Sequence, residues 1–302
     1  MVRPIESEEM PTPKYVSYVI TSMCVADCEI CLTPTTDLRG LEDLSTSDAK
    51  RVIDKVIECG AEMISFAGRE PFRRKDIWEL IEYVKRNKLG LNLESTSVTL
   101  KEEDIERLLD LEVDWLSLTA DTLDGNLARK MKRPYVSREH LQMLCYKFSQ
   151  RERSHLKVSS VVSQKTLGEM EEVGECLAGC PPEIWKLRQF TIRGGGEKES
   201  VRRRYDIPTD TFRRLHRELT DWFPEIYLAD SEKNDYTGTL IMITPKGELI
   251  LPYAKDNIFV GQLIEDNLHL KDVWVSRFPE EKKQMHVLNY HKSYIVPVER
   301  RC

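Results

Sequence analysis

Three cysteines, Cys24, Cys28 and Cys31, stand in the run Cys24-Val-Ala-Asp-Cys28-Glu-Ile-Cys31, directly after an apolar segment. Thiolates at such spacing bind soft metals, and three of them can hold three irons of a [4Fe–4S] cube. No fourth cysteine lies nearby in the chain, so one iron would keep an open position for a substrate or cosubstrate. An electron carrier normally has every iron capped, so the pattern predicts a cluster that takes part in chemistry. Zinc is the alternative, yet structural zinc sites draw four ligands from two paired knuckles. Cys59, Cys145, Cys176, Cys180 and Cys302 supply no obvious second pair. Cys176 and Cys180 lie four apart in a segment of helical pattern, where burial as small hydrophobes is expected.

Two further groups of residues could do chemistry. In Ala67-Gly68-Arg69-Glu70-Pro71 a glycine permits close approach of backbone to ligand, a proline stiffens the exit, and Glu70 offers a carboxylate suited to an ammonium group. A salt-bridged surface glutamate is the ordinary alternative. Later, Lys186, Arg188, Arg193, Lys198, Arg202, Arg203 and Arg204 flank Gly194-Gly-Gly. Glycine N–H donors with basic neighbours suit a phosphate, so an anionic or polar substrate is expected, against the alternative of a solvated linker. No Walker motif is present.

The elements that must position these residues follow a regular beat. Tyr15 to Thr21 reads as a buried strand, and Ser45 or Ser47 caps a helix with Ala49, Val52, Ile53, Val56 and Ile57 on one face. Strands are expected at 63–67, 91–94, 114–119, 155–162 and 185–192, alternating with helices at 77–84, 102–111, 140–148 and 167–177. Such alternation builds a parallel sheet with helices outside. The fold class is therefore α/β: a partial (β/α)6 TIM-like barrel with a small α+β C-terminal cap. Reactive groups in such barrels lie at the C-terminal ends of strands, where the cysteine loop falls. Residues 15–196 are assigned to the barrel and 197–302 to a helix plus the cap. The stretch Lys198 to Arg204 reads as mobile; a helix follows at 208–222, then a hairpin turning at Pro245-Lys-Gly; 278–302 is uninformative.

Composition narrows the classes. The chain has 302 residues, 40% of them hydrophobic, and a formal charge of −6, which argues against a nucleic-acid surface. No apolar run is long enough to span a bilayer, and the acidic start lacks a secretory signal. Cysteines at metal spacing without a signal fit a reducing cytosol, so a cytoplasmic protein with neither nucleic-acid nor membrane partners is expected.

Together the Cys-x3-Cys-x2-Cys loop after the first strand and the Ala-Gly-Arg-Glu-Pro segment resemble the radical S-adenosylmethionine (SAM) superfamily, over roughly residues 15–193. The resemblance implies that Cys24, Cys28 and Cys31 ligate a [4Fe–4S] cluster whose open iron chelates SAM, with Gly68 and Glu70 near the methionine ammonium. It implies reductive cleavage of SAM to a 5′-deoxyadenosyl radical that takes a hydrogen atom from a small-molecule substrate, with an electron donor such as flavodoxin or ferredoxin. Ser95, Thr119 and Ser160 are candidate SAM contacts, and Arg133 a candidate partner for the SAM carboxylate or the substrate. Ala67 replaces the family's first glycine, tolerable if its φ is negative, and Ile30 replaces a frequent aromatic that packs on adenine. Residues 243–253, 259–264 and 270–274 resemble the SPASM/twitch appendage, but Tyr253 stands where a cluster cysteine is usual, so no second cluster is expected. Tyr253 is instead a candidate donor of a hydrogen atom or proton, with packing in the cap as its alternative. Weaker resemblances to viperin-type nucleotide dehydratases and to sugar epimerases suggest a sugar or nucleotide substrate and epimerisation, dehydration or rearrangement. A peptide-modifying maturase and a metal-stabilised interaction protein remain open.

Overall fold

The computed structural model describes residues 11–31, 40–191, 198–233, 235–252 and 257–295. Strands β1 (Tyr15–Tyr18), β2 (Met63–Phe66), β3 (Gly90–Ser95), β4 (Trp115–Thr119), β5 (His155–Val162) and β6 (Ile184–Gln189) lie side by side in chain order, all parallel. Their outer faces bury Val16, Ile64, Leu91, Leu116, Leu156 and Trp185 against the helices. The first helix, α1 (Thr46–Glu58), starts where Ser45 Oγ accepts from Asp48 N, and buries Ala49, Val52, Ile53 and Val56. This is the apolar stripe its spacing predicts. The helices Ile77–Arg86, Glu102–Asp110, Arg138–Ser149 and Met170–Ala178 repeat the arrangement.

Strand β1 is shorter than its composition suggests. Asp43 accepts from Thr21 Oγ1 at 2.6 Å and Ser22 N at 2.7 Å, which draws the chain out of the ladder and into the cysteine loop. Buried Arg74 braces the same bend, donating to Ile20 O and Leu44 O at 2.8 Å each.

Two expectations for the second half need correction. Residues 198–205 are a helix (Lys198–Tyr205), not a mobile stretch: Arg202 pairs with Glu199, and Arg204 with Glu29. After helix Thr209–Trp222, β7 (Leu228–Ser231) adds a seventh parallel strand beside β6. The expected hairpin joins the same sheet. Its first strand, β8 (Met242–Ile243), runs parallel to β1, followed by antiparallel β9 (Glu248–Pro252) and β10 (Asn257–Gln262). The sheet thus reads β10-β9-β8-β1-β2-β3-β4-β5-β6-β7 and continues across residue 196.

The C-terminal stretch is a helix, Glu280–Tyr294, here called the floor helix. Its Tyr290 and Tyr294 pack with Tyr15, Met63, Trp115 and Ile184, near the N-terminal ends of four barrel strands. Among the described residues no helix is long and apolar enough to cross a membrane.

Candidate active site

The cysteine loop leaves β1 and is held from three sides. Glu29 N donates to Met131 O at 3.3 Å, Tyr205 Oη donates to Glu29 Oε2 at 2.9 Å, and Cys31 N donates to Cys28 O at 3.2 Å. Ile30 is buried among Met131, Phe190 and Tyr205 while also touching the cavity. Cys24, Cys28 and Cys31 form no disulfide, each is partly exposed, and all three open onto one cavity of about 1180 Å³ counting its mouth. Burial pushes the Cys28 thiol up, opposed by the Arg133 guanidinium beside it.

The segment after β2 is tied to the same loop. Glu70 N donates to Met23 O at 3.2 Å and Arg69 Nε to Ser22 O at 3.0 Å. Gly68 takes φ +89°, a left-handed conformation that strains any side chain bearing Cβ, whereas Ala67 is not among the residues with positive φ. The alanine is therefore accommodated and the strained position remains a glycine. Glu70 is fully buried behind the wall rather than on it. Its carboxylate accepts from Ser95 Oγ at 2.8 Å, Thr96 N at 2.9 Å and Thr96 Oγ1 at 2.6 Å, so it orders the end of β3.

Arg133 faces the cavity beside Cys28 and Cys31 and pairs with buried Asp121, whose other oxygen accepts from Val161 N at 2.7 Å. Burial works against its charge, but Asp121 and Cys28 outweigh it and raise its pKa further. Ser95 and Thr119 line the cavity. Ser160 does not: it faces the helix layer, donating to Ala120 O and accepting from Trp185 Nε1. The hydroxyl on the cavity side is its neighbour, Ser159. Period-two alternation along β5 makes Lys157, Ser159 and Val161 one face, a signal present in the sequence.

Toward the C-terminal ends of β4 to β7, a neighbouring lobe shares Cys31, Thr119, Arg133 and Arg188 with the first and adds Ser117 and Ser159. Ser117 Oγ donates to Asn92 Oδ1 at 2.6 Å, and Asn92 Nδ2 to Ser65 Oγ at 2.7 Å, a polar chain running across three strands. Lys186 Nζ donates to Tyr236 Oη and Ser293 Oγ, each at 2.5 Å. Tyr236, Ser293 and Tyr294 all touch the cavity. None carried a recognisable signal, because two elements far apart in the chain bring them there.

The basic cluster around Gly194 divides. Lys186 and Arg188 point into the barrel, while exposed Arg202 and Arg203 pair with Glu199. Arg193, the three glycines, the Lys198 side chain and Tyr253 lie outside the described residues.

The donor set fits an iron–sulfur cube. Three soft thiols of one loop face a common space, and among the described residues no three His, Cys, Asp or Glu side chains converge on a single ion. A cube of four irons spreads its ligand sulfurs more widely than one ion does. The adjoining cavity leaves room for a ligand at the uncapped corner.

Comparison with known proteins agrees with this geometry. Residues 18–145 match the Radical SAM superfamily. The chain is 25% identical over 167 residues to a PqqA peptide cyclase of Bradyrhizobium diazoefficiens, covering 55% of this chain and 44% of that one. It is 26% identical over 209 residues to an S-adenosylmethionine-dependent nucleotide dehydratase of Oncorhynchus mykiss, covering 65% and 56%. The chain thus spans about half the length of these relatives. The crystal structure of Streptococcus suis SuiB bound to S-adenosylmethionine superposes with a TM-score of 0.69 at 15% identity, over 91% of this chain and 68% of that one, a likeness of fold.

Proposed function

We propose, from a chain whose residues 18–145 are a radical SAM superfamily domain, that Cys24, Cys28 and Cys31 hold a [4Fe–4S] cluster and that SAM binds at its open iron. The enzyme then abstracts a hydrogen atom from a small polar substrate deeper in the barrel, leading to epimerisation, dehydration or rearrangement. One observation carries the reading: three cysteine side chains of a single loop open onto a cavity lined by strand-end hydroxyls and continuous with a polar barrel interior. The cluster and SAM together supply reductive cleavage of the sulfonium and, from it, hydrogen-atom abstraction; an external electron donor such as flavodoxin or ferredoxin supplies the electron.

The rest falls to this chain's own residues. Gly68 and Ser95 border the place proposed for the methionine ammonium, and Glu70 fixes Ser95 and Thr96 from behind. Arg133, held charged by Asp121 and Cys28, is offered to the SAM carboxylate, and Thr119 to a SAM hydroxyl. The residues of the floor helix that reach the cavity, Ser293 and Tyr294, close its inner end. Such closure limits competing hydrogen donors and holds the substrate against the reacting atom. Tyr236, reached by Lys186, also touches the cavity, while the candidate Tyr253 lies outside the described residues.

A peptide substrate is the second reading, favoured by the similarity to the PqqA peptide cyclase. The closed inner end favours the small molecule. Anaerobic reconstitution tests the proposal: about four irons per chain and reductant-dependent release of 5′-deoxyadenosine are expected, both lost when the three cysteines become alanine. Iron-loaded protein that never cleaves SAM with strong reductant would refute it.

A further inference from the structure

The barrel interior gathers three basic side chains around the Glu94 carboxylate, and not all of them have a hydrogen-bond partner. Glu94, Ser117 and Lys157 are register neighbours across β3, β4 and β5. Lys186 and Arg188 follow on β6, opposite Ser159 and Val161. Lys157 is 1% exposed and Lys186 fully buried. Lys186 is satisfied by Tyr236 and Ser293. Lys157 and Arg188 are not. The Lys157 ammonium sits 4.0 Å over the Tyr294 ring, with no hydrogen bond to it among the described residues. Arg188 Nη2 lies 3.9 Å from Glu94 Oε1, at the outer limit of an ion pair.

Two more polar atoms point the same way. Arg188 Nε and Ser159 Oγ are buried without a hydrogen-bond partner among the described residues. Buried polar groups are normally paired, and orphans gathered on one cavity wall indicate a missing ligand. Lys157 and Arg188 border the first lobe, Ser159 and Arg188 the second. Burial pushes the Lys157 pKa well down, so its charged form gains from an arriving anion.

We propose that Lys157, Ser159 and Arg188 form a subsite for an anionic group of the substrate, a carboxylate or a phosphate. This deepens the proposed function and rests on it for calling the ligand a substrate. The subsite lies on β5 and β6, while the cysteine loop, Gly68, Ser95 and Arg133 gather beyond the ends of β1 to β4. A substrate anchored there by its anionic end would leave its other end toward the cysteines. Bidentate geometry from Arg188 and a point charge from Lys157 suit either oxyanion.

Isothermal titration of the purified full chain with inorganic phosphate and, separately, with malonate tests this without iron. Saturable binding of at least one probe is expected. Lys157→Met and Arg188→Gln should each weaken it about tenfold or more, and exposed Arg203→Gln should leave it unchanged. Lys157→Met removes a buried charge that lacks a hydrogen bond, so the fold should be retained. Phosphate binding alone would assign a phosphorylated substrate and malonate binding alone a carboxylate, both in support. Neither probe binding, or both variants binding like the unaltered protein, would overturn the subsite. Iron-loaded variants should bind SAM as tightly as the unaltered protein. An equal loss of SAM affinity would make the anion the cofactor's own carboxylate and also overturn it. Iron loading and SAM cleavage are measured separately, so a protein without a cluster would sink the proposed function while leaving the anion result readable.

Discussion

His286 fastens the floor helix to the start of β1, and acid should release it. The ring is fully buried. Nε2 accepts from Lys14 N at 3.0 Å and Tyr15 N at 3.4 Å, while Nδ1 donates to Thr239 O at 2.7 Å. It stacks on Tyr15 with centroids 4.6 Å apart and meets Trp274 edge-on at 4.9 Å. A second proton would turn Nε2 from acceptor to donor against two backbone N–H groups, at a ring shut off from solvent. Burial pushes its pKa down to about 4; the Thr239 carbonyl opposes this and Lys14 adds to it. The folded-state value therefore lies below that of an unfolded histidine, about 6.5. The unfolded chain takes up the proton first, so the contribution is full above about pH 6.5 and is lost as pH falls toward about 4. From these two values the loss between about pH 7.5 and about pH 5 is about 2 kcal/mol, rising to about 3 kcal/mol below pH 4.

The assay compares urea unfolding of the unaltered protein with His286→Gln, whose amide can both accept and donate but does not titrate. Groups shared by the two proteins cancel in the difference. The stability advantage of the unaltered protein should shrink by about 2 kcal/mol over that pH range. A difference constant with pH would refute the reasoning. Because Ser293 and Tyr294 follow on the same helix, the inner end of the cavity should loosen in the same window.

Other outcomes follow from single contacts. Gly174→Ala would set a Cβ 2.2 Å from Phe223 Cε2, between helices Met170–Ala178 and Thr209–Trp222, and should cost about 1–3 kcal/mol in thermal or urea unfolding. Glu70→Gln replaces an acceptor-only carboxylate facing Ser95 Oγ, Thr96 N and Thr96 Oγ1 with an amide that donates. Iron content should persist while SAM affinity in equilibrium dialysis falls about tenfold. Asp121→Asn loosens Arg133 and should also weaken SAM binding, with iron content unchanged by chemical analysis.

The chemistry-bearing loop was legible because it is local. Cys24, Cys28 and Cys31 fall within eight residues, and no packing is needed to read their spacing. The strand-helix beat was legible for a related reason: Val52, Ile53 and Val56 on one helix, or Lys157, Ser159 and Val161 along one strand, carry their periodicity in neighbouring positions. Boundaries were less so, since Asp43 ends β1 from more than twenty residues away. The floor helix was illegible. It buries His286, Asn289, Tyr290, Ser293 and Tyr294, polar and aromatic residues that show no apolar stripe. The seventh strand is four residues long and alternates weakly.

What the sequence determined by itself was thus the cysteine loop, the parallel architecture and the placing of that loop beyond a strand end. Tertiary structure alone decided which side of β5 its serines face, that Glu70 stands behind the wall, and that Lys186 meets Tyr236 and Ser293, 50 and 107 residues on. The physical reason is sequence separation. Metal spacing and periodicity are properties of adjacent residues, whereas the charge balance of a barrel interior exists only once distant strands and a C-terminal helix enclose the same space.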